Sequence, residues 1–146
     1  RSVHQELISE LLFELKLYIR NNKGTCKVLP APLDVQLDCD NRTMIQPDIS
    51  VICQLDRLVE KGVYGAPDFC IEIVSPSSRS RDYIKKVSKY QIAGVREYWI
   101  VDIAKNRITV YNFNHDYSIE EYSFTDTVKA GIYEDLSIDF SEINIL

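Results

Sequence analysis

The chain has 146 residues, 45% of them hydrophobic and 27% charged, with a formal net charge of −5. That length suffices for one domain with its own core, since chains near this size bury roughly 70% of their unfolded surface. No apolar run approaches the roughly 20 residues of a membrane span, five Gly and five Pro exclude low-complexity classes, and the acidic balance argues against coating nucleic acid by bulk charge.

Residues Ser2 to Tyr18 read as an amphipathic helix, because Leu7, Leu11, Leu15 and Tyr18 recur at helical spacing and Leu12 and Ile19 widen the stripe. The run Asn21-Asn22-Lys23-Gly24 ends it, with Gly24 expected in the left-handed conformation. Strands are predicted at Cys26 to Leu29, Leu33 to Leu37 and Ile49 to Cys53, with a turn at Asp38 to Arg42. Residues 54 to 66, charged and containing Gly62 and Gly65, read as a surface loop with one helical turn. Phe69 to Val74 (FCIEIV) is apolar on both faces and belongs to a central strand. Ser75-Pro76-Ser77-Ser78 breaks it, and a helix from Arg81 to Ala93 follows, stopped by Gly94. Strands at Glu97 to Asp102, Arg107 to Tyr111 and Ser118 to Ser123 complete the pattern, and a tail from Gly131 packs on the sheet. The order predicts one mixed α/β domain over residues 1–146. The chain starts on Arg1 in helical sequence, so a natural N-terminal segment is expected to precede it.

Four cysteines, Cys26, Cys39, Cys53 and Cys70, form no CxxC pair, and with only His4 and His115 a zinc site is not expected. No signal peptide is visible. Free thiols in a reducing cytoplasm are the expectation.

The anomaly is Glu72, flanked by Ile71 and Ile73, with Cys70 and Val74 on its own face. Burying a carboxylate there costs several kcal/mol unless something neutralises it. A buried ion pair would do so, yet a strand interior disfavours Glu strongly enough to favour a functional role. Asp48, after Pro47, stands at the mouth of a strand; Asp68 is the same kind of residue, and nothing local separates the two. Two acids on adjacent strands repel by about 4 kcal/mol at 4 Å in an effective dielectric of 20. A divalent cation reverses that sign, and oxygen-only ligands point to Mg²⁺ or Mn²⁺. The run from Arg79 to Lys89 adds Arg79, Arg81, Lys85, Lys86 and Lys89 against one acid, Asp82. Most such runs are solvated helix faces, but Lys86 borders the inward stripe of Tyr83, Val87 and Tyr90, where a lysine could hold a phosphate or a water.

Pro47-Asp48, then Glu72-Ile73-Val74 with Ser75-Pro76-Ser77, then Asp82 to Lys86 as DxxxK, then GVREYWIVD at Gly94 to Asp102 together resemble the Uma-two family of the PD-(D/E)xK nuclease superfamily. The resemblance runs over nearly the whole chain. It implies a restriction-endonuclease-like mixed sheet flanked by helices, cutting phosphodiester bonds of nucleic acid, DNA foremost, with Mg²⁺ or Mn²⁺. By position it implies Asp48 and Glu72 as metal ligands, with the main-chain carbonyl of Ile73. The superfamily's lysine, two residues after the second acid, falls on Val74, so the resemblance points to Lys86 in the following helix. His4, Glu6, Glu10 and Asp82 are implied accessory residues, and Arg79, Arg81, Lys85 and Lys89 nucleic-acid contacts. Nucleases of this fold often pair, so a homodimer is a further implication. Two other readings stay open: a nuclease fold that binds without cutting, and a metal-dependent phosphoesterase on a small substrate.

Overall fold

The computed structural model describes residues 2–37, 44–75, 80–114 and 117–143, and of residues 80–82 the backbone only. Helix α1 (Ser2–Asn21) buries Leu7, Leu11, Leu15 and Ile19, a stripe at every fourth position. It ends in a Schellman turn, where Gly24 N–H donates to the Ile19 carbonyl at 2.8 Å and Lys23 N–H to that of Arg20 at 3.2 Å. The left-handed residue is Lys23, with φ 53°, and not Gly24 as the sequence suggests. Gly24 instead permits a close pass over Ile19, whose Cγ2 an added Cβ would meet at 3.3 Å.

The chain continues through β1 (Lys27–Pro30), β2 (Val35–Gln36), β3 (Met44–Ile45), β4 (Ile49–Ile52), β5 (Leu58–Val59), β6 (Gly62–Tyr64) and β7 (Phe69–Val74). Helix α2 (Ser80–Ala93) then crosses over to β8 (Glu97–Asp102), followed by β9 (Arg107–Asn112), β10 (Ser118–Ser123), β11 (Thr127–Lys129) and β12 (Ser137–Asp139). Gly94 stops α2 as expected, with φ 100°. The main sheet has the order β1-β4-β7-β8-β9-β10. It is antiparallel except for the β7–β8 pair, which runs parallel because α2 carries the chain back to the same end. This mixed sheet with a helix on each face is the predicted α/β class.

Alternation along β7 sets the two sides of the core. Phe69, Ile71 and Ile73 pack with α1, Trp99, Val101 and the tail residues Leu136, Ile138 and Phe140. Cys70 and Val74 pack with Val87 and Tyr90 of α2, Tyr98 and Ile100. Glu72, between Cys70 and Val74, therefore points to the α2 side.

Three expectations are corrected. The segment 54–66 has its expected helical turn, at Leu55–Arg57, but the rest is not a loop: its short strands β5 and β6 join β2 and β3 in a second sheet of order β3-β2-β6-β5. The predicted strand at Leu33 to Leu37 shrinks to β2 and belongs to that sheet. Strands of two or three residues leave too little alternation to be read in advance. Gly62 holds this sheet together: its φ is 147°, and an added Cβ would lie 2.2 Å from the Asp34 carbonyl oxygen that accepts from Val63 N–H. Gly62→Ala is expected to cost about 2 kcal/mol or more, read as a lowered urea midpoint with unchanged slope.

The third correction concerns the thiols. Cys26 and Cys53 form a disulfide, with Cα atoms 4.1 Å apart. The antiparallel register pairs Lys27 with Ile52, so its next step outward sets Cys26 directly opposite Cys53, in reach of a cross-strand bridge. This removes the cysteine argument for a reducing compartment. Cys70 is free and buried, and Cys39 lies outside the described residues. Among the described residues no helix is long and apolar enough to cross a membrane.

Candidate active site

The β4–β7 ladder pairs Ile49 with Ile71, so one step further Asp48 stands opposite Glu72. There the ladder changes character, because side chains replace backbone partners. Asp48 Oδ2 accepts from Ile73 N–H at 2.7 Å, and Glu72 Oε1 accepts from Asp48 N–H at 3.1 Å. Each acid is thus fixed by the other's strand. In an extended strand the N–H and C=O of one residue share an edge, so the Ile73 carbonyl faces the same side as Asp48.

Helices close on this point from both faces. His4, in the first turns of α1, sets Nε2 3.5 Å from Asp48 Oδ2. From α2, Lys86 Nζ donates to Glu72 Oε2 at 3.0 Å and Tyr90 Oη donates to the same oxygen at 3.4 Å. Lys86 and Tyr90 are four residues apart, one above the other on the inward face. The Lys86 ammonium also lies 5.1 Å from the Tyr83 ring centroid. Glu72 is 3% exposed, whereas Asp48 and Lys86 are 18% and 32% exposed. The cluster therefore runs from a buried acid outward to solvent.

Burial pushes the Glu72 carboxyl above its ordinary value, against the lowering influence of Lys86, and the Asp48 charge adds to the rise. The same apolar surroundings push the Cys70 thiol and the Tyr90 and Tyr98 phenols upward. The pocket favours neutral groups and so rewards any further positive charge brought to Glu72.

The structure brings together four predicted residues, Asp48, Glu72, Lys86 and His4, and the backbone of Ile73. Glu6 and Glu10 lie two and six positions from His4, about 200° and 240° around a helix of 100° per residue, and make no described contact with the acids. Lys85 and Lys89 are exposed on the outward face of α2. Arg79 lies outside the described residues, as do the side chains of Arg81 and Asp82.

Asp68, which nothing local separates from Asp48 and which the resemblance passes over, is a clamp elsewhere. Its Oδ1 accepts from Cys53 N–H at 2.7 Å and its Oδ2 lies 3.4 Å from Arg96 Nη1. Sequence reasoning missed Tyr90 as a partner of Glu72; its place one turn beyond Lys86 was the available signal. It also passed over Glu97, a second buried acid, which accepts from Trp99 Nε1 at 2.6 Å and serves the packing of that ring.

The donor set fits a hard divalent ion. Two carboxylates and one carbonyl supply oxygen only, and Mg²⁺ retains several waters beside one or two carboxylates. Among the described residues no three His, Cys, Asp or Glu side chains gather as a metal group, so such an ion would rest on the two acids, the Ile73 carbonyl and water.

A family model, Uma2, described as "Putative restriction endonuclease", matches residues 1–141. Among solved structures, the crystal structure of a "putative nuclease belonging to DUF820" from Anabaena variabilis ATCC 29413 superposes with a TM-score of 0.79 at 19% identity, covering 98% of this chain and 80% of that one. At that identity the likeness shows the fold. No curated protein matches the chain.

Proposed function

Because the chain belongs to the Uma2 family, we propose that it is a metal-dependent endonuclease, with Asp48, Glu72 and the Ile73 carbonyl holding Mg²⁺ or Mn²⁺. The observation that supports this most directly is the crossed pair at the end of the β4–β7 ladder, in which each acid is oriented by the other's backbone while Lys86 reaches Glu72. A bound ion would lower the pKa of a coordinated water and offset charge on the phosphate. The protein's own groups do the positioning. Tyr90 and Asp48 N–H hold the Glu72 carboxylate in one rotamer, and His4 and Ile73 N–H hold Asp48. Lys86 keeps two ammonium protons beyond its bond to Glu72; they orient the attacking water or a non-bridging phosphate oxygen. Lys85 and Lys89, with Arg79 and Arg81, extend positive charge along the following nucleic-acid backbone. DNA is the proposed substrate, in keeping with the family's description, and cutting both strands calls for two copies of the chain.

The test is calorimetric titration of Mn²⁺ into the protein and into Asp48→Asn, followed by cleavage of supercoiled and single-stranded DNA. Saturable binding is expected in the parent. Asp48→Asn, which keeps an acceptor for Ile73 N–H but loses the charge, is expected to weaken it at least about tenfold, with nicking lost alongside. Equal Mn²⁺ binding by both proteins would overturn the site. Metal binding with hydrolysis of a small phosphodiester, and none of DNA, would move the substrate to a small molecule.

A further inference from the structure

At the far end of α1 lies a second feature that the active site does not use. A groove of about 770 Å³ runs between the last turns of α1 and β1, with Ile19, Val28, Leu29 and Leu55 among the residues that line it. Four cations line it as well, Lys16, Arg20, Lys23 and Lys27, and among the described residues no acid does. In a chain of net charge −5 that segregation concentrates positive potential in one place. All four side chains are exposed, and among the described residues none has an ion-pair partner. They are therefore free to meet an anion without first breaking a bond.

The groove is also aligned with the site. Both elements that line it end beside Asp48: His4 of α1 is 3.5 Å from its carboxylate, and Ala31, just after β1, donates its N–H to the Asp48 carbonyl at 2.9 Å. Lys16 and Arg20 lie 12 and 16 residues beyond His4 on one helix, hence about 18 and 24 Å along it at 1.5 Å per residue. Lys16 and Arg20 are one helical turn apart, so their charges repeat along one line. That is the pattern for an extended polyanion and not for a single phosphate.

We propose that this groove binds the phosphate backbone of a nucleic acid whose scissile bond lies at Asp48 and Glu72, contacting it roughly five to seven base steps away at 3.4 Å per step. The identity of the anion rests on the nuclease reading; the groove and its charge do not. The occupant follows from charge complementarity and from the shared line of groove and site.

The test measures binding apart from cleavage. Fluorescence anisotropy with a duplex of about 20 base pairs, in EDTA and across a salt series, compares the parent with the quadruple variant Lys16→Gln, Arg20→Gln, Lys23→Gln, Lys27→Gln. Each phosphate contact contributes about 0.9 to the salt slope, so the variant is expected to flatten it by about two to four and to bind at least about tenfold more weakly at low salt. Equal affinity and slope for parent and variant would overturn the groove, as would a parent that binds no DNA at low salt. The nuclease reading fails separately: groove-dependent binding with no metal-dependent cleavage would overturn that reading and leave the groove standing.

Discussion

Glu72→Gln is expected to abolish metal-dependent cleavage, by about 10³-fold or more, while leaving the protein as stable as the parent or more so. The carboxylate sits 3% exposed between Cys70 and Val74, and burial raises its pKa despite Lys86. In the folded protein its ionisation is therefore less favourable than in the unfolded chain. A neutral amide of the same shape keeps an acceptor for Asp48 N–H and removes the buried charge. The Lys86 ammonium, about a third exposed, turns to solvent. Thermal melts at pH 7 without metal, with Mn²⁺ titration beside them, check both halves. A structural ion-pair residue would behave in the opposite way, losing stability on substitution. A clear fall in melting temperature, with cleavage retained, would overturn the assignment of Glu72.

Lys86→Met is expected to do the reverse to stability. Methionine preserves the apolar stem but leaves Glu72 without its cation. Removing one partner of a buried pair costs about 3–5 kcal/mol; with Lys86 partly solvated, about 2 kcal/mol is the expected size. At this chain length each kcal/mol moves the melting temperature by roughly 2–4 °C. The pH dependence carries the assignment. A carboxyl whose folded pKa is raised contributes stability that is fully present below the unfolded value and is lost as pH rises through the folded value. Without Lys86 the folded value climbs further, so the loss becomes larger and reaches higher pH. Parent and variant should therefore converge below the ordinary carboxylate range and separate toward pH 8. A penalty independent of pH would show that Lys86 contributes packing alone. Cleavage by the variant is expected to fall at least about 10²-fold, because the group that orients water or phosphate is gone.

Each of these outcomes depends on a placement that was visible in the sequence to a different degree. The strands of FCIEIV and EYWIVD at Phe69–Val74 and Glu97–Asp102, the α1 stripe at Leu7, Leu11, Leu15 and Ile19, and the α2 stop at Gly94 follow from local periodicity and turn chemistry. Glu72 was visible as an acid where only apolar residues belong. Lys86 was visible only as the cation next to the inward stripe of α2.

What remained hidden depended on partners far along the chain. Asp48 and Asp68 look alike locally, and although the resemblance favours Asp48, the physical reason is the β4–β7 register, which puts it opposite Glu72 while Arg96 and Cys53 N–H take Asp68. Cys26 and Cys53, 27 residues apart, become neighbours only through the pairing of β1 with β4. The small sheet of β2, β3, β5 and β6 is built from strands too short to show a period. Lys16, Arg20, Lys23 and Lys27 form a groove only because β1 lies against the end of α1. The elements and the out-of-place charge are legible locally, because propensity, periodicity and the cost of burying a carboxylate act over a few residues. Only the packed fold settles how the acids and the cation meet, and which sulfurs pair, because register and the choice of covered face follow from burying the whole sheet at once.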